Sequence, residues 1–134
     1  MTGAGPVPVA DSVSAEFWAG CRRHQLLIAR CIACEHLEFP PVERCTACWS
    51  DRVGSLRSEG RGIVEAVAFI RSSVVPQFME QCPYTVVLVR LVEGVRMVGR
   101  LHGADAGEDP IGLAVRVDFV DTVDCSVPVW QPAG

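Results

Sequence analysis

Lysine is absent from this chain, and all twelve of its basic residues are arginines. The formal net charge is −4. Neutralisation of phosphates by basic side chains supplies most of the affinity of general nucleic-acid binders, so an acidic chain is a poor candidate for that class. A local arginine patch is still compatible with this composition. We therefore predict no nucleic-acid partner.

Long hydrophobic runs are also missing, although hydrophobic residues make up 49% of the 134-residue chain. The longest apolar stretches, such as 85–89, are far shorter than the roughly 20 residues that a membrane-spanning helix needs. Residues 1–12 carry neither the basic region nor the apolar segment of a signal peptide. We expect a cytoplasmic protein with no membrane partner, formed by one ordinary domain or two small ones.

Sequence motifs for phosphate binding and for acid–base catalysis are lacking as well. The Gly-Arg-Gly segment at 60–62 has neither the Lys-Ser/Thr ending of a P-loop nor the third glycine of a dinucleotide fingerprint. His24 and His102 are single histidines, which are more often structural than catalytic. The carboxylates within 103–112 lie in a polar, glycine-rich stretch, as is usual for a solvated loop. We find no catalytic constellation in the sequence.

Seven cysteines are present, and four of them form two Cys-x-x-Cys pairs: Cys31 with Cys34, and Cys45 with Cys48. In a reduced chain, clustered pairs of this kind favour metal binding over disulfides. Each Cys-x-x-Cys turn can direct two thiolates at one point, and two facing turns build a tetrahedral four-sulfur site. Strand patterns at 26–30 and 37–39 complete a zinc-ribbon pattern. The sequence therefore predicts a structural Zn²⁺ held by these four cysteines.

Other uses of the cysteines are less well supported. A thioredoxin-like redox pair opens a helix in a βαβ setting, and no helical pattern follows Cys34 or Cys48. Four thiolates do not exclude iron. Catalytic zinc keeps an open position for water or substrate, whereas four thiolates close the shell. His36 is expected to be a surface residue rather than a ligand.

The other three cysteines are isolated in the sequence. Cys21 and Cys125 are expected to be small buried hydrophobes, the default for free cysteines. Cys82 precedes Pro83 in a predicted loop, so it is the one least safely assigned to the core. A nucleophilic role for Cys82 would require a neighbouring base, and the sequence identifies none.

The chain is mainly β in pattern. A short helix is predicted at 14–21, with Phe17, Trp18 and Cys21 on one side, docked on either the chain's own core or a partner. Strands are predicted at 63–70, 84–92, 95–101, 114–120 and 127–130. Five strands with hairpin spacing favour an OB-fold barrel. We expect a flexible lead-in and short helix at 1–24, a zinc ribbon at 25–52 and an OB-fold at 53–134.

Several landmarks occur in an order that resembles a known family. They are Phe17-Trp18, Leu26-Leu27, the first cysteine pair, Phe39-Pro40-Pro41, the second cysteine pair, Gly60-Arg61-Gly62, Pro83-Tyr84, Glu93-Gly94, and the segments 111–117 and 128–132. Together they resemble the DUF35 family, which carries a rubredoxin-like zinc ribbon followed by an OB-fold associated with acyl-CoA. Two positions depart from the family pattern. Glu35 stands where glycine is usual, and Thr46 stands where proline is frequent.

The resemblance implies a helper subunit. Family members accompany thiolase-like or enoyl-CoA hydratase-like proteins in acyl transfer, thiolysis or retro-aldol cleavage of CoA thioesters, including steroid side chains. The chain would be non-catalytic by itself, dock on the partner and shape the channel for the shared acyl-CoA. Two alternatives stay open: an autonomous acyl-CoA-binding protein or enzyme, and a nucleic-acid-binding module.

The implied role as a helper subunit suggests candidate contact residues. Exposed apolar patches mark interfaces, and the candidates for a partner interface are Phe17, Trp18, Phe39, Pro40, Pro41, Phe78 and Trp130. Arginine is the only basic residue type available to meet the phosphates of CoA. Arg61 and Arg71, close to the first predicted barrel strand, are the candidates for that contact.

Overall fold

The computed structural model describes residues 13–71, 83–103, 109–123 and 125–133. Within these ranges, helix α1 (Ala15–Arg22) is followed by eight strands. The strands are β1 (Leu27–Cys31), β2 (Leu37–Glu38), β3 (Val53–Arg57), β4 (Arg61–Ile70), β5 (Tyr84–Leu91), β6 (Arg96–Arg100), β7 (Ala114–Asp121) and β8 (Ser126–Pro132). No helix in the described ranges is long and apolar enough to cross a membrane.

The first sheet is built around β1. The strands β2 and β3 pair antiparallel with its two edges, which gives the order β2-β1-β3. We expected the barrel to begin at residue 53, whereas all five residues of β3 are in register with β1. Backbone hydrogen bonding therefore places 53–57 in the sheet of the ribbon. The sequence of β3, VGSLR, has no clear alternation of apolar and polar residues, and so it carried no strand signal.

The second sheet has the order β6-β5-β4-β7-β8 and forms a nearly closed barrel. Its two edge strands meet where Leu101 and Trp130 form a parallel bridge. The backbone N–H of His102 donates a 2.7 Å hydrogen bond to the Trp130 carbonyl. A bulge at Glu65 bends β4, as closure of a small barrel requires. The predicted mainly β class, with a short helix, a zinc ribbon and a five-stranded OB-fold, is confirmed.

The side chain of Trp130 fills the barrel at the point of closure. It is only 1% exposed. Gly99 of β6 makes room for it, because a Cβ at that position would lie 2.9 Å from the indole ring. We expected Trp130 on a partner surface, and its burial gives it a core role instead. The strand predicted at 127–130 lies within β8, which is an edge strand of the sheet, and Pro128 and Pro132 are tolerated at that position.

A single apolar core joins the helix, the ribbon and the barrel. Phe17 and Cys21 of α1 and Leu26 and Ile28 of the ribbon pack in one cluster with barrel residues such as Val64. The free cysteine Cys21 is fully buried, and its burial, with a further contribution from nearby Cys125, raises the pKa of the thiol to about 12. The helix thus docks on the chain's own core.

His24 ties the end of α1 to the barrel. The last turn closes with the pair of backbone hydrogen bonds typical of a Schellman motif. His24 occupies the left-handed position of that motif, with φ of 56°, where glycine is usual. Its imidazole stacks on Phe119 at 5.1 Å between ring centroids, and its Nε2 lies 2.8 Å from an Asp121 carboxylate oxygen. These side-chain contacts offset the unfavourable backbone conformation.

The link between ribbon and barrel is held by the β5–β6 hairpin. The carboxylate of Glu93 accepts hydrogen bonds from the Ser58 hydroxyl at 2.8 Å and from the Glu59 N–H at 2.9 Å. Gly94 follows with φ of 94°, a conformation that suits glycine. The predicted Glu93-Gly94 turn therefore also orients the chain as it enters the barrel.

Gly62 marks a close approach of β4 to β5. A Cβ there would clash with the Arg90 carbonyl oxygen and lie 2.6 Å from the Val89 side chain. We expect Gly62→Ala to lower the free energy of unfolding by about 1–3 kcal/mol, the usual range for overpacking, as measured by denaturant titration. Gly54→Ala is the matched control, because the nearest atom to a Cβ there is 3.7 Å away. An equal loss in both variants would contradict the steric argument.

Candidate functional site

Two tight turns of the ribbon face each other with the same backbone pattern. In the first turn, the N–H of Glu35 donates to the Cys31 carbonyl at 2.9 Å. In the second, the N–H of Trp49 donates to the Cys45 carbonyl at 2.8 Å. Each turn therefore presents the two sulfurs of its Cys-x-x-Cys pair to the other turn, as the spacing predicts.

The four sulfurs converge on one point. All four Sγ atoms lie within 4.8 Å of one another. The Sγ atoms of Cys31 and Cys48 are 3.6 Å apart, as are those of Cys34 and Cys45. Zn–S bonds of about 2.3 Å place the corners of a tetrahedron about 3.8 Å apart, whereas a disulfide requires about 2.05 Å. The spacing fits zinc and does not fit disulfides.

In each cysteine pair, a backbone amide approaches the sulfur of the buried cysteine. Cys31 and Cys45 are buried, while Cys34 and Cys48 face solvent. The N–H of Cys34 lies 3.4 Å from the Cys31 sulfur, and the N–H of Ala47 lies 3.3 Å from the Cys45 sulfur. The hydrogen bond from Cys34 lowers the pKa of the Cys31 thiol to about 7. The Cys31 thiolate is therefore accessible near neutral pH, whereas hydrogen bonds among the neighbouring sulfurs raise the pKa values of Cys34 and Cys48.

These four cysteines form a structural zinc site. Four thiolates complete a tetrahedral shell and leave no position for a water or substrate. Bound Zn²⁺ supplies folding free energy to the ribbon. His36 is exposed and lies outside the cluster of ligand atoms, in keeping with the expected surface role.

The residue after each cysteine pair adopts a left-handed backbone conformation. Glu35 has φ of 66° and Trp49 has φ of 64°. Glycine suits this conformation, which accounts for its frequency at the first of these positions in the family. The carboxylate of Glu35 forms an exposed ion pair of 2.8 Å with Arg30. The departure from glycine therefore leaves the turn intact but adds backbone strain.

The second departure has a structural reason. Thr46, where proline is frequent in the family, donates twice to the carboxylate of Glu38. Its N–H lies 3.0 Å from one oxygen and its hydroxyl 2.8 Å from the other. Proline would lack the N–H. This pair of hydrogen bonds joins the second cysteine turn to β2.

The residues predicted as partner contacts divide into two groups. Phe17 and Trp130 are buried in the core. Trp18, Phe39 and the two prolines after Phe39 are at least partly exposed. Phe78 lies outside the described residues, as does Cys82. The partner role of the exposed group stays a prediction.

The two arginines predicted to meet CoA phosphates are exposed but far apart. Arg61 begins β4, and Arg71 follows its last residue. At about 3.3 Å per residue, ten residues of strand separate them by roughly 30 Å. Arg61 is instead in register with Arg116 of β7. Arg61 and Arg71 therefore cannot contact the same phosphate, and a phosphate-binding role for either arginine stays a prediction.

A Ser-His-Asp cluster escaped the sequence analysis because its members are far apart in the chain. The carboxylate of Asp121 accepts hydrogen bonds from both His24 and Ser126. These two contacts, the one from Ser126 first, lower the pKa of Asp121. In a catalytic triad the histidine lies between the serine and the aspartate. Here the aspartate lies between them, so the cluster does not activate the serine and instead anchors α1 to the barrel.

An apolar groove also escaped the sequence analysis. It lies between α1, the end of β2 and the barrel strands β6 and β8, with a volume of about 380 Å³. The rings of Phe17 and Trp18 meet edge to face at 4.9 Å, and Phe17 is 5.2 Å from Phe39. The sequence indicated Phe17, Trp18 and Phe39 as contact residues but not the groove itself, since much of the opposite wall comes from strands about 80 to 110 residues after the helix.

Comparison with known proteins identifies both parts of the fold. Residues 18–54 match the family model described as the ChsH2 rubredoxin-like zinc ribbon domain, and residues 57–120 match the ChsH2 C-terminal OB-fold domain. One chain of the solved structure described as Ltp2-ChsH2(DUF35) aldolase is 30% identical, with a TM-score of 0.87. The match covers 96% of this chain and 100% of that chain. The chain belongs to the DUF35 family.

Two curated relatives differ in how much of their length this chain matches. The 3-oxo-4,17-pregnadiene-20-carboxyl-CoA hydratase alpha subunit of Mycobacterium tuberculosis is 37% identical over 93% of this chain, but the match covers 39% of that protein. This chain therefore spans about two-fifths of that subunit. A DUF35 domain-containing scaffold protein of Methanothermobacter thermautotrophicus is 26% identical over 73% of this chain and 74% of its own length.

Removal of the metal should disrupt the ribbon. We expect Cys34→Ser to reduce the zinc content well below one ion per chain and to broaden the NMR signals of 25–57, because three thiolates hold the metal less firmly. Metal analysis by mass spectrometry and a ¹H–¹⁵N spectrum measure this. Cys21→Ala is the control, since that cysteine lies outside the site and should retain one zinc. Full zinc occupancy in Cys34→Ser would contradict the four-ligand assignment.

The strain at Glu35 should be measurable. We expect Glu35→Gly to raise the free energy of unfolding by up to about 1 kcal/mol, because relief of the left-handed strain exceeds the loss of an exposed ion pair. Glu35→Ala is the control, since it loses the same ion pair and keeps the strain. Denaturant unfolding with excess zinc compares the two variants. Equal stability of the two would show that the backbone conformation carries no penalty.

Proposed function

We propose that this chain is a non-catalytic accessory subunit of a thiolase-like enzyme that acts on acyl-CoA thioesters. It docks on the catalytic partner and contributes to the channel that leads acyl-CoA to the partner's active site. The observation that carries the proposal is the TM-score of 0.87 over the whole of one chain in an aldolase structure whose description names Ltp2 beside ChsH2.

The lengths of the relatives support a helper role. The hydratase alpha subunit matches this chain over only 39% of its length, so the activity in its name belongs to a longer protein and to an assembly of subunits. The scaffold relative, in contrast, is matched over most of its length. A region of this kind suits docking and positioning better than independent catalysis.

The chemistry of the described residues agrees with this proposal. The zinc shell is closed by four thiolates, and so the metal offers no Lewis-acid position to a substrate. In the Ser-His-Asp cluster found in the described ranges, the aspartate lies between the serine and the histidine. This arrangement is a structural contact and not a catalytic triad. Catalysis would then rely on groups that the partner supplies.

Trp49 adds a candidate to the partner surface. Its side chain is 73% exposed, and its backbone is in a conformation that a bulky residue adopts at a cost in free energy. The chain's own core gains nothing from this side chain. Contact with a partner accounts for both features, because buried tryptophans contribute strongly to protein interfaces. Ile32, on the first cysteine turn, is exposed as well.

Purification from the native host tests the proposal. We expect the N-terminally tagged chain to recover a thiolase-like or hydratase-like protein at near-equal amounts at moderate salt, as identified by mass spectrometry. Acyl-CoA turnover is expected from the pair and not from this chain alone. Turnover by the isolated chain, or its recovery without any partner, would contradict the proposal.

Two single-residue variants test whether Trp49 contacts the partner. Trp49→Ala is expected to reduce recovery of the partner about tenfold or more, the usual effect of losing a buried interfacial tryptophan. Val123→Ala is the control, since Val123 is a fully exposed apolar residue on the β7–β8 turn. Equal recovery with both variants would remove Trp49 from the interface.

A further inference from the structure

The apolar groove has the size and lining of a small-molecule site. Its volume of about 380 Å³ falls in the range of about 300–1,000 Å³ that such sites occupy. Trp18 and Phe39 line the side formed by the helix and the ribbon, while Val98, Val127 and Pro128 line the barrel side. An apolar molecule is the ligand class that such walls favour.

The walls of the groove remain accessible rather than collapsed. Val98 on β6 is 62% exposed although it faces other apolar side chains across the groove. Gly99 lines the groove, and the buried Trp130 packs directly on it where the barrel closes. A packed core behind Gly99 and an exposed apolar wall favour insertion of a ligand over rearrangement of the core.

Polar and cationic groups interrupt the apolar lining at one place. Tyr84, Arg100 and His102 all border the groove. The Arg100 guanidinium lies over the Tyr84 ring, 4.0 Å from its centroid. Burial and then the charge of Arg100 lower the pKa of His102, while Asp118 acts in the opposite direction. The positive charge beside the apolar surface therefore comes from Arg100, while Tyr84 and His102 add polar groups, and the lowered pKa of His102 favours its neutral ring.

We propose that this groove binds the acyl part of a ligand, with the hydrocarbon chain between the aromatic and valine walls and the carbonyl or carboxylate oxygen at Arg100 and His102. A free carboxylic acid and an acyl thioester share this chemistry. The inference rests on the proposed function only for the choice of thioester as the physiological source. The apolar wall and the cationic Arg100 beside it belong to this chain itself, so this part of the inference does not depend on the proposed function.

Titration of the 134-residue zinc-loaded chain tests the proposal, with octanoate, octanoyl-CoA and CoA as probes. We expect both octanoyl compounds to shift the NMR signals of groove residues, and the negative carboxylate of octanoate to raise the measured pKa of His102. The stronger binder of the two identifies the source of the acyl group. CoA alone is expected to leave these signals unchanged. An effect of CoA equal to that of octanoyl-CoA would overturn the proposal, because the nucleotide would then be the bound part.

Matched variants locate the site. Val98→Asp is expected to weaken octanoyl binding about tenfold, since it places a charge on the apolar wall. Val92→Asp is the control, because Val92 is 59% exposed but lies outside the groove, and its affinity should stay within about twofold. Arg100→Met keeps an apolar stem over Tyr84 and is expected to weaken octanoate binding about tenfold. Equal losses in Val98→Asp and Val92→Asp would overturn the groove assignment.

The two proposals fail in different ways. Octanoyl binding with the expected variant pattern, together with no partner in the native host, would support the groove and contradict the accessory-subunit role. Recovery of a partner, together with no octanoyl response in either the chain or the pair, would support the accessory role and overturn the groove. A ¹H–¹⁵N spectrum of each variant confirms that it is folded before affinities are compared.

Discussion

The four-thiolate zinc site determines the position of a segment that has little apolar surface of its own. Between Cys31 and Cys48 the chain forms only the two-residue strand β2, and most of its side chains face solvent. The metal and the Thr46–Glu38 hydrogen bonds fix this segment. Phe39 directly follows β2 and its ring packs against Phe17 of the core, so metal coordination and this contact together position the aromatic wall of the groove. Any surface that includes Phe39 therefore depends in part on zinc.

In the described ranges, three non-glycine residues have left-handed backbone conformations. They are His24 at the end of α1, and Glu35 and Trp49 in the two cysteine turns. His24 is compensated by its ring stacking and its contact with Asp121. Glu35 is compensated in part by an exposed ion pair with Arg30, which contributes little. Trp49 is mostly exposed, so the cost of its backbone conformation is not offset by comparable apolar packing within the chain.

The metal site was predictable from sequence because covalent spacing largely determines which sulfurs can meet. The long barrel strands were predictable for a related reason: runs such as 84–91 have strong local β preference. The strand β3 was not, because its residues have no clear pattern and its pairing with β1 spans more than twenty residues. Trp130 was misplaced because its burial depends on Gly99 and on closure of the barrel. Features that arise only when distant segments pack, such as the groove and the His24–Asp121 contact, have no local signal.

The groove lies where all three parts of the chain meet. The helix contributes Trp18, the ribbon contributes Phe39 and the barrel contributes Val98. The helix is anchored by His24, the ribbon by zinc and the barrel by its closure at Trp130. Each wall is therefore held by a different interaction, and a shift in any one of them changes the width of the groove. Under the proposed accessory role, a partner that contacts the ribbon turns would shift Phe39 and so alter the shape of the groove without touching the acyl group that we propose it binds.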